Sequence, residues 1–257
     1  MPREKLVIDD LVILGRAVPE QLKNGRVTVC AAGYSRRLGF IRIFPTKTGM
    51  SLNRWNVVRV PVERDPRDSR SESWKIQESK SEWDRLDERV EVVEKLKPRE
   101  RLHLIANLTD DCVKDINEAR RSLGIVKPNI EKCYFCPEEK FDPTLQATLF
   151  GTPLPSTKKQ YREFPKIRYR CSRCKAKNCH DQTVLEWGFY EWMRKHPEKP
   201  EQVWENAQIH SPKHERFFFV GNMRDRRTAF LIISILRLQK EEVSKTLFPL
   251  PKWLGPT

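Results

Sequence analysis

Two Cys-x-x-Cys pairs are the features of this sequence whose residue types and spacing most clearly indicate chemistry. Cys133 and Cys136 form the first pair, Cys171 and Cys174 form the second, and residues 137–170 separate them. An i, i+3 spacing lets one tight turn direct two thiolates at the same point, and two such turns supply the tetrahedral sulfur site that zinc prefers. The long spacer is tolerated because the entropy of loop closure grows only logarithmically with length. We therefore predict a zinc ion held by all four cysteines.

Two further residues could complete or replace part of this ligand set. Cys179 and His180 follow Cys174 closely, so either one is an alternate ligand. Four cysteines with a fifth nearby are also compatible with an iron–sulfur cluster, although no ferredoxin-like spacing is present. Because four cysteines close the coordination shell, the predicted metal is structural rather than catalytic. Cys30 and Cys112 lie in apolar stretches, and we interpret them as inert core residues.

Positive charge surrounds the second cysteine pair. Residues 158–177 contain a single acid, Glu163, and nine basic side chains: Lys158, Lys159, Arg162, Lys166, Arg168, Arg170, Arg173, Lys175 and Lys177. A charged arm further upstream adds Arg64, Arg67 and Arg70. A rigid, metal-held turn with this charge is suited to contacting phosphates, so we predict that these twelve residues bind nucleic acid. The alternative is a solvated basic strand and an arm with local ion pairs.

The overall composition also indicates an anionic partner. The 257 residues include 49 Lys and Arg against 35 Asp and Glu, which gives a net charge of +14 and a pI of about 9.6. Such a pI is typical of nucleic-acid-binding domains, and an acidic protein partner is the alternative. No apolar run reaches the roughly 18 residues of a membrane span, and no signal-peptide core follows the N-terminus. We expect a cytoplasmic protein with reduced cysteines, which favours metal binding over disulfides.

The elements that must position these residues are mainly β-strands. Short β-branched runs between turn residues predict a small barrel in the first half, with strands over 11–14, 26–32, 39–45 and 55–62. Apolar residues at three- and four-residue spacing then predict helices over 82–96, 99–106 and 110–123. The second half returns to β-structure, with a strand over 166–171, a helix over 183–195 and a hairpin over 217–238.

These elements divide the chain into three parts. Residues 1–80 form the N-terminal β-barrel, which includes an exposed charged arm over 63–81. Residues 82–123 form a helical connector, and residues 124–257 form a C-terminal β domain with the zinc knuckle. The predicted fold class is therefore mixed but mainly β.

Short motifs along the chain carry a resemblance to a known family. They are VCAAG at 29–33, GFIRIFP at 39–45, DSRSES at 68–73, SLGIVKP at 122–128, YRC at 169–171 through Trp187, and FFVG at 218–221. Their order resembles a prokaryotic family of dual OB-domain proteins found near mobile-element and defence genes. The resemblance implies two small OB-like β-barrels joined by a helical segment. This chain departs from the pattern by carrying the Cys133–Cys136 pair and the long loop after it.

The resemblance and the charge together predict a nucleic-acid-binding accessory protein without catalytic residues. It would grip single-stranded or structured nucleic acid within a larger defence or mobile-element nucleoprotein system. OB-type barrels stack bases on aromatic side chains, and the candidates, which are equally suited to the core, are Phe40, Phe44, Trp55 and Tyr169. The sequence leaves open DNA or RNA, the protein partners and the oligomeric state.

Two other functions are compatible with the same residues. The protein could be a protein–protein adaptor subunit of such a complex, with its basic surface facing an acidic partner. It could also be a metal-dependent nuclease that uses His180, Asp181 and Glu186, although Asp181 is equally suited to starting the helix that follows it.

Overall fold

The computed structural model describes residues 4–22, 24–137 and 161–240. The elements of the first half are β1 (Lys5–Arg16), β2 (Glu20–Gln21), β3 (Val27–Ser35), β4 (Gly39–Thr46), β5 (Asn56–Arg64), β6 (Ser73–Ile76), a 3-10 helix (Trp83–Arg89) and β7 (Glu91–Lys95). Those of the second half are α1 (Pro98–Leu108), β8 (Thr109–Asp110), α2 (Val113–Glu118), β9 (Leu123–Val126), β10 (Pro128–Pro137), β11 (Glu163–Cys171), β12 (His180–Thr183), α3 (Trp187–Lys195), α4 (Gln202–Asn206), β13 (His214–Asn222) and β14 (Phe230–Gln239).

The first half closes into a barrel of five strands. Strand β1 pairs antiparallel with both β3 and β5, β3 pairs with β4, and β5 pairs with β6. A parallel pairing between β4 and β6 completes the circuit. Irregularities between Ile8 and Leu11 and between Ile13 and Gly15 bend β1, which is how one strand can serve two neighbours. At the β1–β3 contact a Cβ atom on Gly33 would lie 2.0 Å from the carbonyl oxygen of Val12, so this position requires glycine.

The segment 63–81 contributes to this barrel and is only in part the predicted exposed arm. Strand β6 is the fifth strand of the circuit, and its residues Trp74 and Ile76 are buried in the core. Between them Lys75 is also buried, and its ammonium group lies 2.5 Å from the carboxylate of Glu63. The charged residues that suggest a solvated arm are therefore partly buried as an ion pair between β5 and β6, and polarity alone does not reveal this.

The second half repeats the same circuit of strands. Strands β9 and β10 follow one another across Lys127, and β9 pairs with β13 while β10 pairs with β11. Strand β11 pairs with β12, and β13 pairs with β14. A parallel bridge between Val184 and Ile232 then joins the end of β12 to β14. In the first half β1 has two neighbours, and β4 lies parallel to β6. In the second half β9 and β10 together take the place of β1, and the bridge after β12 runs parallel to β14. The predicted class, mainly β with two OB-like barrels, is confirmed.

Three of the predicted helices differ from the observed elements. The helix over 82–96 is instead the 3-10 helix followed by β7, since β-branched residues there favour an extended backbone that pairs with β5. The helix over 110–123 is the shorter α2. The helix over 183–195 begins at Trp187, because the preceding residues extend β11's sheet as β12. The predicted hairpin over 217–238 is confirmed as β13 and β14. In the described part of the chain, no helix combines the length and apolar character required to span a membrane.

The two barrels pack against each other through an outer face of the first. Phe40 stacks on Phe219, with ring centroids 5.9 Å apart and planes inclined by 23°. Beside this pair, Arg42 is buried and donates a hydrogen bond to the carbonyl oxygen of Ser122 at 3.3 Å. The carboxylate of Glu72 accepts a bond from the backbone N–H of Ser122 at 2.6 Å. Apolar stacking and a buried polar network together fix one barrel on the other.

Candidate metal centre and basic face

Four potential metal ligands converge in the second half of the chain. The Sγ atoms of Cys112, Cys171 and Cys174 and one ring nitrogen of His180 all lie within 4.8 Å of one another. The Sγ atoms of Cys112 and Cys174 are 3.9 Å apart, and the Nε2 atom of His180 lies 3.7 Å from the first and 3.5 Å from the second. One ion placed among these atoms can bind all four.

Three segments bring these side chains together. Cys171 is the last residue of β11, Cys174 follows in the turn, and His180 is the first residue of β12. The turn between antiparallel neighbours therefore returns the chain to the same end of the sheet. Cys112 comes from a distant segment and stands directly before α2, where its Sγ atom accepts a hydrogen bond from the backbone N–H of Lys114 at 3.4 Å.

The surroundings of the cluster affect the protonation of its members. Burial raises the pKa of the Cys171 thiol, and the neighbouring thiols add to this effect. Burial opposes ionisation of Cys174 as well, but backbone N–H groups of Cys171 and Ala176 outweigh it and lower the pKa of Cys174. Burial and the nearby charge of Arg170 lower the pKa of His180, which favours the neutral imidazole, the form that binds metals.

The observed cluster differs from the predicted four-cysteine set in two members. Cys133 and Cys136 do not form a turn, because both belong to the extended strand β10. Cys133 pairs with Ile167 and Cys136 with Phe164, which are four and seven residues from Cys171 along β11. At about 3.3 Å per residue these positions lie roughly 13 and 23 Å along the strand from Cys171. The structure thus brings Cys171 and Cys174 together with His180, an alternate of the prediction, and leaves Cys133 and Cys136 outside.

Cys112 is the member of the cluster that no spacing in the sequence indicates. Its apolar surroundings predict an inert core residue, and the side chain is buried, but its Sγ atom belongs to the cluster. It has no cysteine or histidine three or four residues away, so local spacing contains no signal for it. The other alternate, Cys179, points elsewhere and lies 3.0 Å from the carboxylate oxygens of Glu131.

The predicted basic residues of β11 form a row on the outer face of the second barrel. Arg168 and Arg170 are exposed and Lys166 is half-buried, while the residues between them, Ile167 and Tyr169, are buried in the core. Arg162 is exposed just before the strand, and Lys158 and Lys159 lie outside the described residues. A bulge in β10 between Ile130 and Lys132 places another cation, Lys132, on the exposed side of the same sheet.

Acidic side chains lie among these cations. Asp181 on β12 is 3.4 Å from both Lys166 and Arg168, and Glu131 on β10 is 3.3 Å from Arg170. Asp181 also accepts hydrogen bonds from the hydroxyl of Tyr134, at 2.7 Å to each carboxylate oxygen. The basic row is therefore partly neutralised by exposed ion pairs, which are weak in water.

The turn between β11 and β12 carries the remaining basic residues of this region. Arg173, Lys175 and Lys177 are exposed there, between the ligand residues of the metal cluster. Arg173 lies 3.5 Å from Asp111, and Lys175 lies 2.6 Å from Asp115 at α2. A metal bound by the cluster would hold this charged turn against the segment before α2.

The three arginines of the upstream arm have different environments. Arg64 lies over the ring of Trp74, 3.6 Å from the ring centroid, and Arg70 is buried in an ion pair with Asp68 at 2.6 Å. Only Arg67 is largely exposed, with 65% of its side chain accessible. Arg64 and Arg70 therefore have structural contacts, which leaves Arg67 as the accessible member of this set.

The structure separates the three residues of the nuclease hypothesis. His180 belongs to the metal cluster, and Asp181 points to the outer face of the sheet. Glu186 pairs with Arg54 at 2.6 Å and accepts a hydrogen bond from the backbone N–H of Ile235 at 2.6 Å. The three side chains therefore occupy three different environments. Of the proposed base-stacking residues, Phe44 is half-buried, and the other three, Phe40, Trp55 and Tyr169, are buried in the core.

Comparison with known proteins divides the chain near the start of the second half. A family described as a domain of unknown function (DUF8758) matches residues 8–107. A second family, described as a domain of unknown function (DUF8757), matches residues 107–251, which is more than half of the chain. No curated protein matches the sequence. The junction at residue 107 lies in α1, between the strands of the two barrels.

Proposed function

We propose that this chain, which belongs to the family described as a domain of unknown function (DUF8757), binds single-stranded nucleic acid on a zinc-stabilised face of its second barrel. The observation that carries the proposal is the row of basic side chains along β11, beside a turn that is held by the metal cluster. Exposed cations at regular spacing along a strand are suited to contacting phosphates, so we assign a binding role.

The geometry of the metal cluster supports zinc. With Zn–S bonds of about 2.3 Å and Zn–N bonds of about 2.0–2.1 Å, tetrahedral angles place two sulfurs about 3.8 Å apart and a sulfur and a nitrogen about 3.5 Å apart. The corresponding distances among Cys112, Cys174 and His180 are 3.9, 3.7 and 3.5 Å. Three cysteines and one histidine fill the coordination shell, which is typical of a structural zinc site.

The spacing of the basic row supports contact with an extended strand. Lys166, Arg168 and Arg170 stand at every second residue, so their side chains repeat at about 6.6 Å along β11. This repeat is close to the distance between successive phosphates of an extended single strand. Binding of such a strand along β11 would let each cation meet one phosphate, with no requirement for a particular base sequence.

The acidic neighbours of the row are compatible with this role. The ion pairs of Arg168 and Arg170 join exposed groups at 3.3–3.4 Å, and pairs of this kind contribute about 0–1 kcal/mol. A phosphate can accept two parallel hydrogen bonds from a guanidinium, as a carboxylate does. It can therefore replace such a carboxylate at little cost. Tyr134, which lies between Lys132 and Lys166, adds an aromatic ring beside the row.

The experiment is a titration of fluorescently labelled single-stranded DNA and RNA, followed by anisotropy at several salt concentrations. The double variant Arg168→Gln/Arg170→Gln removes two phosphate contacts. We expect it to reduce the slope of log affinity against log salt by about 1.4, since each contact to a single strand contributes about 0.7. The effect should be equal for unrelated base sequences.

Arg59 provides a matched control on the first barrel. It is an exposed strand residue like Arg168, with 52% against 48% of its side chain accessible, and it also pairs with carboxylates. The variant Arg59→Gln should bind nucleic acid like the unmodified protein. Equal losses in both variants, or no binding by the unmodified protein at low salt, would refute the proposal. Co-purification of an acidic protein without nucleic acid would instead support the adaptor hypothesis.

A further inference from the structure

A cavity of 590 Å³ lies between the two barrels, away from the basic row of β11. Its lining contains His214 and four arginine or lysine residues: Arg54, Lys95, Arg101 and Arg237. Arg54 stands just before β5 of the first barrel, and Lys95 ends β7, which flanks that barrel. Helix α1 supplies Arg101, and β14 of the second barrel supplies Arg237. Among the described residues that line it, none is an aspartate or a glutamate.

Backbone carbonyl groups orient three of these cations. Arg54 donates a hydrogen bond to the carbonyl oxygen of Ile235 at 2.7 Å, and Arg237 donates one to that of Asn206 at 3.0 Å. Arg101 donates one to the carbonyl oxygen of Leu96 at 2.8 Å. A carbonyl carries no net charge, so these bonds orient the guanidinium groups without cancelling their charge, while Arg54 is also paired with the carboxylate of Glu186. The arrangement is therefore preorganised for an anion.

The charges inside the cavity affect one another. Burial lowers the pKa of Arg237, and the nearby charge of Arg54 lowers it further, while Glu186 acts in the opposite direction. Two guanidinium groups of the same sign are thus held close together, with one carboxylate, that of Glu186, 2.6 Å from Arg54. A bound anion would relieve this repulsion.

A second, smaller cavity of 200 Å³ adjoins the first and shares Arg54 and Arg237 with it. Its other lining is mostly apolar, with Phe189, Trp192 and Ile235 among the residues, and it also includes Asn206 and the Glu186 carboxylate that pairs with Arg54. The two arginines therefore lie between a cationic space and an apolar, partly aromatic space. A ligand that carries both a phosphate and a flat ring matches this pair of environments, and the larger volume is typical of small-molecule sites.

We infer that the cleft between the barrels binds the phosphate of a nucleotide, with the phosphate among Arg54, Lys95, Arg101 and Arg237 and the ring system toward Trp192. The nucleotide is either a free molecule or the end of a nucleic-acid strand, because both present the same chemical group. Since both barrels line the cleft, its occupation would also strengthen the contact between them.

The test is isothermal titration calorimetry of the full chain with AMP, adenosine and inorganic phosphate. We expect AMP to bind, adenosine to bind at least tenfold more weakly because it lacks the phosphate, and inorganic phosphate to compete with AMP. The variant Lys95→Glu should weaken AMP binding by at least tenfold, since it reverses one charge of the cavity. Arg237→Gln should have a similar effect.

Lys80→Glu is the matched control, since Lys80 is an exposed lysine of the first half that does not line the cavity. It makes the same change of charge as Lys95→Glu and should leave AMP binding unchanged. A 5′-phosphorylated oligonucleotide distinguishes the two sources of the phosphate. If the oligonucleotide binds in the cleft and AMP does not, the affinity for the oligonucleotide should fall in Lys95→Glu. This loss should also occur when the Arg168→Gln/Arg170→Gln changes are already present.

The inference is overturned if AMP and the phosphorylated oligonucleotide are both insensitive to Lys95→Glu, or if adenosine binds as tightly as AMP. Lys95 is exposed at the end of β7, so its substitution tests the cleft without disturbing the core. The Arg168→Gln/Arg170→Gln variant should retain AMP binding. The proposal of nucleotide binding in the cleft and the proposal of single-strand binding along β11 can therefore be refuted independently.

Discussion

Replacement of Cys112 by serine is the change that best separates the observed ligand set from the one that cysteine spacing suggests. Cys112 is buried and its Sγ atom lies 3.9 Å from that of Cys174, whereas Cys133 and Cys136 lie on β10 outside the cluster. We expect Cys112→Ser to lose bound zinc. The matched variants Cys133→Ser and Cys136→Ser also remove one cysteine each. They should retain the zinc, because these two residues lie outside the cluster.

The size of the effect follows from the number of ligands. A structural zinc contributes about 10–16 kcal/mol in small zinc-binding domains. Shared equally by four ligands, this is about 2.5–4 kcal/mol for Cys112, or a loss of roughly 10²- to 10³-fold in zinc affinity. Because the metal stabilises only the folded chain, the same variant should unfold at a lower temperature, and excess zinc should partly restore it.

Three measurements check this prediction. Elemental analysis gives the zinc content of each purified variant, and competition with a chromogenic chelator gives the affinity. Cobalt substitution should produce a thiolate charge-transfer band and tetrahedral ligand-field bands that weaken in Cys112→Ser. If Cys133→Ser or Cys136→Ser lost the metal while Cys112→Ser kept it, the Cys112–Cys171–Cys174–His180 site would be refuted.

Three further predictions concern the barrels and their contact. Trp74→Ala removes a buried ring from the fifth strand of the first barrel and should lower the free energy of unfolding by about 3–5 kcal/mol in urea, whereas Val93→Ala, at a side chain that is 52% exposed, should change it little. Burial acts to raise the pKa of Asp68, but the guanidinium and backbone N–H of Arg70 outweigh it and lower that pKa from 3.8 to about 2. Ionised Asp68 therefore stabilises the folded protein by up to about 2 kcal/mol above pH 4, and this stabilisation should disappear as the pH falls toward 2. In Asp68→Asn, the free energy of unfolding should lack this dependence on pH. Glu72→Ala leaves buried donors of the barrel–barrel contact without an acceptor, so it should cost about 1–3 kcal/mol, and an unchanged melting temperature would contradict the role of this network.

Strand content was predictable because alternation is a local property. Phe217–Gly221 and the apolar run after Ala229 indicate a hairpin by β-branched and aromatic composition alone, and the structure has β13 and β14 there. The 3-10 helix and β7 were mistaken for a helix over 82–96, because three- and four-residue spacing of apolar side chains also occurs when a turn joins two short elements.

Polarity was the least reliable guide. Lys75 and Glu63 are charged, so their segment suggests a solvated arm, yet the two side chains are buried and pair with each other between β5 and β6 at 2.5 Å. Likewise Arg42 and Arg70 are charged residues whose positions are fixed by the second barrel or by a neighbouring carboxylate. Whether a charge is buried depends on a partner from elsewhere in the chain, and no local pattern contains that partner.

By itself, the sequence determined that the chain is mainly β, that it is strongly basic, and that Cys171 and Cys174 are spaced to bind one metal ion. Each of these properties belongs to residues a few positions apart, or to the composition as a whole. Tertiary structure decided that Cys112 and His180 complete the cluster, while Cys133 and Cys136 do not. It also decided that Arg54 and Arg237 meet across two barrels. Convergence of distant residues depends on how strands pair and pack, and only the folded chain brings together groups that the sequence holds far apart.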